Sequence, residues 1–209
     1  MDWFVSRPRR FGKSYAAQML CAYYDHTCSS YAMFENLSIS KAESYTEHLN
    51  RYNVIYLDIA GFVSDLKRRN EDLRSIPDEI LAAVKRELVA DFSDLKDTDR
   101  MTECLIAYVQ KTGKKYVFII DEWDAVIREA GNHEDVQNAY LNLLREWFKN
   151  GNFTSRVVAA VYMTGILPIK KDKSQSAISD FDEYSVLEPG DFSIYTGFTE
   201  EEVKQLCGY

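Results

Sequence analysis

Apolar residues fall along this chain in two patterns, and their alternation predicts layers of helix on sheet. Continuous apolar runs suit strands buried on both faces of a parallel sheet. They place a first strand at 3–6, a second at 53–59, a third at 116–121, a fourth at 157–163 and a short fifth at 184–188. Elsewhere apolar residues recur at three and four, the spacing of a single helix face. A first helix, 13 to about 24, presents Ala16, Met19, Leu20 and Tyr23, and small Ala16 and Ala17 let it lie close on the sheet. Residues 25–53 are mixed, with Tyr31, Phe34, Leu37 and Ile39 as short anchors and 41–51 as a candidate helix.

Two helices are read between the second and third strands. Ser75-Ile76-Pro77-Asp78-Glu79 is a start signal, with Pro in the first turn and acids at the positive dipole end. Ile80, Leu81, Val84 and Leu88 then form a buried stripe. The next helix, 99–112, turns Met101, Leu105 and Tyr108 inward and stops at Gly113. A long helix from Asn132 or His133 to about 150 carries Val136, Tyr140, Leu143, Leu144, Trp147 and Phe148 as core, with Gly151 as its terminator. Thr199 and Glu202 make a capping box for a last helix running toward Tyr209.

Chemistry concentrates where strands end. After the first strand comes Arg7-Pro8-Arg9-Arg10-Phe11-Gly12-Lys13-Ser14. Its last three residues match the end of a phosphate-binding loop at a helix start. Gly12 admits close backbone approach to phosphate oxygens. Lys13 supplies an ammonium to the outer phosphates, and Ser14 a hydroxyl to a magnesium ion that keeps most of its waters. The helix N-terminus completes the anion site. Arg9, Arg10, Phe11 and Tyr15 flank these groups and join the nucleotide-binding set. The position that the full pattern gives to its first glycine is Arg7, which makes the loop stiffer and more cationic.

The third strand ends in Asp121 and Glu122. Ligands of parallel sheets sit beyond the carboxyl ends of the strands, so these acids and the loop converge on one crevice. Asp121 takes the place of the residue that holds the magnesium shell, and Glu122 that of the base acting on attacking water. Thr164, at the carboxyl end of the fourth strand, is placed to help position that water. Asp58 ends the second strand and reads as the cap of a loop. Arg156 precedes the fourth strand and so lies a strand's length, roughly 20 Å, from the phosphates. The cations at the correct edge are Arg9, Arg10, Lys170 and Lys171.

Arg7 to Ser14, Ile119-Ile120-Asp121-Glu122-Trp123-Asp124, Thr164-Gly165-Ile166-Leu167-Pro168-Ile169 and Gly197 to Val203 together resemble the AAA-ATPase-like domain family. That family occurs in bacterial and archaeal proteins, often fused to a carboxyl-terminal nuclease-like domain of the PD-(D/E)XK type, and an arginine in place of the first glycine is usual in it. The resemblance implies a three-layer α/β P-loop NTPase domain with a mainly parallel central sheet flanked by helices. It implies ATP and Mg2+ as ligands, and it carries the preference for ATP over GTP. It also leads to the expectation that residues 1–209 form one domain truncated at both ends, without the lid and the nuclease-like domain.

Composition narrows the alternatives. With 209 residues, 46% hydrophobic and 13% aromatic, the chain can bury a substantial core. It has no apolar run long enough to span a membrane and no signal pattern, so a cytoplasmic location is expected. Cys21, Cys28, Cys104 and Cys207 lack metal-ligand spacing, as do the scattered His26, His48 and His133, which read as surface histidines. A net charge of −8 opposes nonspecific coating of nucleic acid. The basic runs Lys67-Arg68-Arg69 and Lys170-Lys171-Asp172-Lys173 read as solvated surface, and 172–184 as a polar loop near the site. The expected activity is magnesium-dependent ATP binding and hydrolysis driving a conformational switch. The alternatives are a nucleotide-binding regulatory module with little hydrolysis, a small-molecule kinase, and a nucleic-acid-associated module acting through the absent domains. Nuclease chemistry has no Asp and Glu-x-Lys constellation to rest on.

Overall fold

The computed structural model describes residues 2–6, 12–91, 100–167, 182–184 and 200–208. Five strands form one sheet: β1 (Asp2–Ser6), β2 (Asn53–Asp58), β3 (Tyr116–Asp121), β4 (Val158–Gly165) and β5 (Asp182–Tyr184). Their order is β2-β3-β4-β1-β5 and every neighbouring pair is parallel. The protein is therefore α/β with helices on both faces of the sheet, a three-layer arrangement of the P-loop NTPase kind. β4 stands between β1 and β3, so the strand that feeds the phosphate loop and the strand that ends in acids are each its neighbour.

The helices are α1 (Lys13–Tyr24), α2 (Tyr31–Phe34), α3 (Tyr45–His48), α4 (Ile59–Arg69), α5 (Ile76–Asp91), α6 (Met101–Thr112), α7 (Ala125–Ala130), α8 (Glu134–Phe148), α9 (Gly151–Val157) and α10 (Glu200–Cys207). On one face of the sheet α4 to α9 build the main core. Phe118 of β3 packs against Trp147 and Phe148 of α8, with ring centroids 5.6 and 5.3 Å away. All six residues of β3 are buried, as its uninterrupted apolar run requires. On the other face α1 covers a smaller patch in which Ala17 meets Val117, Ile119 and Tyr162.

Several elements differ from the sequence reading. The inward side of α1 is led by Ala17, with Leu20 and Cys21 packed beside it, while Met19 is 48% exposed. Tyr23 leaves that face for a separate aromatic cluster with Phe34 and Tyr45. Both alanines suit close packing, so their small size does not reveal the phase. Gly151 opens α9 instead of ending the preceding helix, because the Asn150 side chain caps the new turn by accepting from the Phe153 amide at 3.4 Å. Val157 accordingly ends α9, and β4 starts one residue later. Residues 41–51 hold the end of a 3-10 turn and the single turn of α3 in place of one helix. The fifth strand is described at 182–184; residues 185–199, including most of the predicted 184–188, lie outside the described residues.

Helix α4 has no counterpart in the sequence reading. Asp58 ends β2 and at once caps α4 by accepting from the Gly61 amide at 2.9 Å, so strand and helix share a boundary with no loop between them. Asp58 therefore caps a helix and not the loop that the sequence reading assigned to it. The run Lys67-Arg68-Arg69 forms the last turn of α4, where cations complement the dipole, and pairs with Glu129, Asp65 and Glu79. His26 bonds Asn53 Oδ1 through Nε2 at 2.9 Å and His48 bonds the Tyr52 hydroxyl through Nδ1 at 2.8 Å, so these two are half-buried packing groups and not surface residues. The four cysteines are free, with Cys104 buried.

Candidate functional site

Register brings the predicted groups to one level. Asp58 pairs with Asp121 across β2 and β3, and Ile120 pairs with Met163 across β3 and β4, which sets Asp121 beside Thr164. Thr164 in turn pairs with Val5, and Ser6, the last residue of β1, with Gly165. The carboxyl edge of the sheet therefore carries, in a row, Asp58, Asp121, Thr164 and the end of β1.

Backbone conformation sets how the chain leaves these strands. Gly12 precedes α1 with φ 76, a left-handed conformation that glycine adopts without steric cost, and among the described residues nothing stands where a side chain would be. Its carbonyl accepts from the Ala16 amide at 2.9 Å, closing the first turn of α1. Lys13 is buried, whereas Ser14 and Tyr15 are exposed, Tyr15 by 76%. Arg9, Arg10 and Phe11 lie outside the described residues, as do Arg7, Lys170 and Lys171. Arg156 sits in the last turn of α9, before β4, at the far edge of the sheet.

Lys13 is brought to the acids. Burial lowers its ammonium below the ordinary value; the carboxylates of Glu122, Asp121 and Asp124 oppose that fall, and Arg128 adds to it. Two cations and three carboxylates therefore share one field. Asp121 is 4% exposed and Thr164 fully buried. The Thr164 hydroxyl donates to Asp121 Oδ1, and the Glu122 amide donates to that same carboxylate oxygen at 3.1 Å and to Thr164 Oγ1 at 3.2 Å. Burial first, then the charges of Asp121 and Asp58, push the phenol of Tyr56 in β2 up to about 12. Tyr162 is likewise pushed up to about 12, by burial and then by Asp121.

Glu122 itself has φ 50, left-handed for a residue with a side chain, a conformation that persists where surrounding bonds over-determine it. Its carboxylate accepts from Arg128 Nη2 at 2.8 Å. The next two residues lace β3 to β4. Trp123 donates its amide to the Thr164 carbonyl at 2.9 Å, and Asp124 Oδ2 accepts from the amides of Ile166 and Leu167 at 3.3 and 3.0 Å. Gly165 passes so close beneath them that an added β-carbon would stand 2.6 Å from the Trp123 ring and 2.9 Å from Asp124 Oδ1.

Asp124, Arg128 and Tyr56 escape the sequence reading as site residues. The first two are separated by four residues, one helical turn, so an acid and an arginine at that spacing just past Asp121-Glu122 is the signal the sequence offers. Tyr56 gives none, since alternate residues of a buried strand look alike.

The donor set fits magnesium carried by a nucleotide. That ion favours one or two carboxylates, a hydroxyl and phosphate oxygens over an all-protein cage. Among the described residues no group of three or more His, Cys, Asp or Glu side chains could hold a metal by itself. Also among the described residues, no helix is long and apolar enough to cross a membrane.

A family model described as "Predicted AAA-ATPase" matches residues 1–174. Among curated proteins, the chain is similar to an "Uncharacterized protein in vnfD 5'region" of Azotobacter chroococcum mcd 1, with 22% identity over 201 residues. Those residues are 96% of this chain and 37% of that protein, so the chain spans little more than a third of its relative. The family match supports a nucleotide-binding, ATPase-like role.

Proposed function

The chain belongs to the predicted AAA-ATPase family, and on that premise we propose that its carboxyl-edge site binds ATP with magnesium and hydrolyses it to drive a conformational switch. The observation that carries this reading is the meeting of Lys13 with Asp121, Glu122 and Thr164 at the level where β1 gives way to the phosphate loop. Lys13 and the amides at the start of α1 hold the outer phosphates, joined by Arg9, Arg10, Phe11 and Tyr15 around the nucleotide. Ser14 and Asp121 hold magnesium, which when bound offsets phosphate charge. Glu122 accepts a proton from the attacking water, and Thr164 fixes Asp121 and the Glu122 amide.

Calorimetric titration of ATP with magnesium into the wild-type chain and into Lys13→Ala, with turnover followed on the same samples, tests it. The expected result is binding that Lys13→Ala abolishes, and turnover that Glu122→Gln reduces on the order of a hundredfold while leaving binding in place. A well-folded wild type that does not bind ATP overturns the reading. The engagement of the Glu122 carboxylate by Arg128 favours a second reading, a nucleotide-binding regulatory module with little hydrolysis. Binding without turnover selects it.

A further inference from the structure

Arg128 stands at the centre of an ion network that the roles assigned above leave unused. It lies in the short helix α7, one turn beyond Asp124 and six residues beyond Glu122. Its Nη2 donates to Glu122 Oε2 at 2.8 Å, and its Nε approaches Asp124 Oδ2 at 3.1 Å. The guanidinium is largely enclosed, with the Arg128 side chain 19% exposed against 31% for Glu122 and none for Asp124. Asp124 in turn accepts the amides of Ile166 and Leu167, where the chain leaves β4 just after Thr164.

The backbone of Glu122 is already pinned, because its amide is held by both Asp121 and Thr164. What remains to be ordered is the side chain, whose rotamer freedom opposes any single aim. Arg128 removes that freedom. A planar guanidinium can face two carboxylates at once, whereas an ammonium is a point charge on a flexible stem.

We propose that Arg128 is a positioning residue for the hydrolysis inferred above, aiming the Glu122 carboxylate and tying that aim, through Asp124, to the segment leaving β4. The inference rests on that reading of the site. In this role it acts through Glu122.

The test uses Arg128→Met, Arg128→Lys, Glu122→Gln and the double variant Arg128→Met with Glu122→Gln, each assayed for magnesium–ATP affinity by calorimetry and for single-turnover hydrolysis. Arg128→Met is expected to bind ATP within about threefold of wild type and to hydrolyse it roughly ten- to a hundredfold more slowly, the scale of loss expected from a misplaced catalytic group. Arg128→Lys restores part of that rate. On the Glu122→Gln background, Arg128→Met has no further effect, because the residue through which it acts is gone. Where Arg128→Met leaves Asp124 buried without its cation and the protein fails to fold, Arg128→Met with Asp124→Asn removes both charges and is held to the same expectations. Wild-type turnover in either variant overturns the proposal. So does an equal slowing with and without Glu122, or binding and turnover that fall together. Failure of the wild type itself to bind or hydrolyse ATP defeats the underlying reading instead.

Discussion

Thr164 and Asp121 share a hydrogen bond across the β3–β4 junction, and the same threonine oxygen receives the Glu122 amide at 3.2 Å. One hydroxyl thus orients a carboxylate and a peptide at once. Thr164→Val keeps the volume and removes both bonds inside a buried site. It should cost about 1–3 kcal/mol of stability, since a buried carboxylate loses one of its two donors and the Glu122 amide one of its acceptors. A urea melt of the two proteins measures it. An unchanged midpoint would mean that the Glu122 amide alone satisfies Asp121.

Lys13 gives stability a pH dependence of known sign. Its native value lies below the ordinary 10.5 because burial outweighs the attraction of Glu122, Asp121 and Asp124. Between those two values the unfolded chain binds more protons than the native one, so this group's contribution rises with pH through that window and is at its least favourable below it. The stability of the wild type relative to Lys13→Met is therefore expected to improve as pH is raised toward 10.5. Denaturant midpoints of both proteins from neutral pH upward give the difference, and a flat or falling trend would contradict the balance stated here.

At Gly165 the test is steric. A β-carbon would lie 2.6 Å from Trp123, a residue only 4% exposed whose ring has nowhere to retreat without disturbing the core. Gly165→Ala is expected to destabilise by about 1–3 kcal/mol, the range for an overpacked site. The near-ultraviolet circular dichroism of the tryptophans should change with it, and identical spectra and midpoints would show that the β3–β4 crossing is looser than described.

Asp58 tests the cap. Its carboxylate receives the Gly61 amide, so Asp58→Ala should lose about 0.5–2 kcal/mol. Asp58→Asn, which keeps an acceptor, should lose much less. Thermal melts of the pair separate capping from charge; equal losses would assign the effect to the negative charge at the start of α4.

Sequence is legible where one physical signal acts alone. The run from Tyr116 to Ile120 has no polar interruption, and its shortness and its aromatic and β-branched residues suit a strand buried on both faces, so β3 and its terminal acid lie where the pattern puts them. The core stripe of α8 reads equally well, because Val136, Tyr140 and Trp147 keep one spacing throughout. The misses arise where two signals coincide. Asp58 serves as strand end and helix cap together, which hides α4, and Gly151 comes after one helix while starting another, which hides α9. At the site, Lys13, Asp121 and Thr164 are legible through motif and strand position. The link from Asp124 to the amides of Ile166 and Leu167 is not, because it depends on where the chain leaves β4, more than forty residues away in sequence.

The two faces of the sheet are unequally clothed, and that asymmetry divides the site by stability. Among the described residues, α1 is fastened through Ala17 to Val117, Ile119 and Tyr162, whereas the acids of β3 are backed by the large core around Phe118 and Trp147. Local opening tracks buried apolar area, so the helix bearing Lys13 should breathe at lower free energy than the strand bearing Asp121. A phosphate held between them would act as a clasp on the weaker layer. Its signature would be slowed amide exchange along α1, with little change in β3.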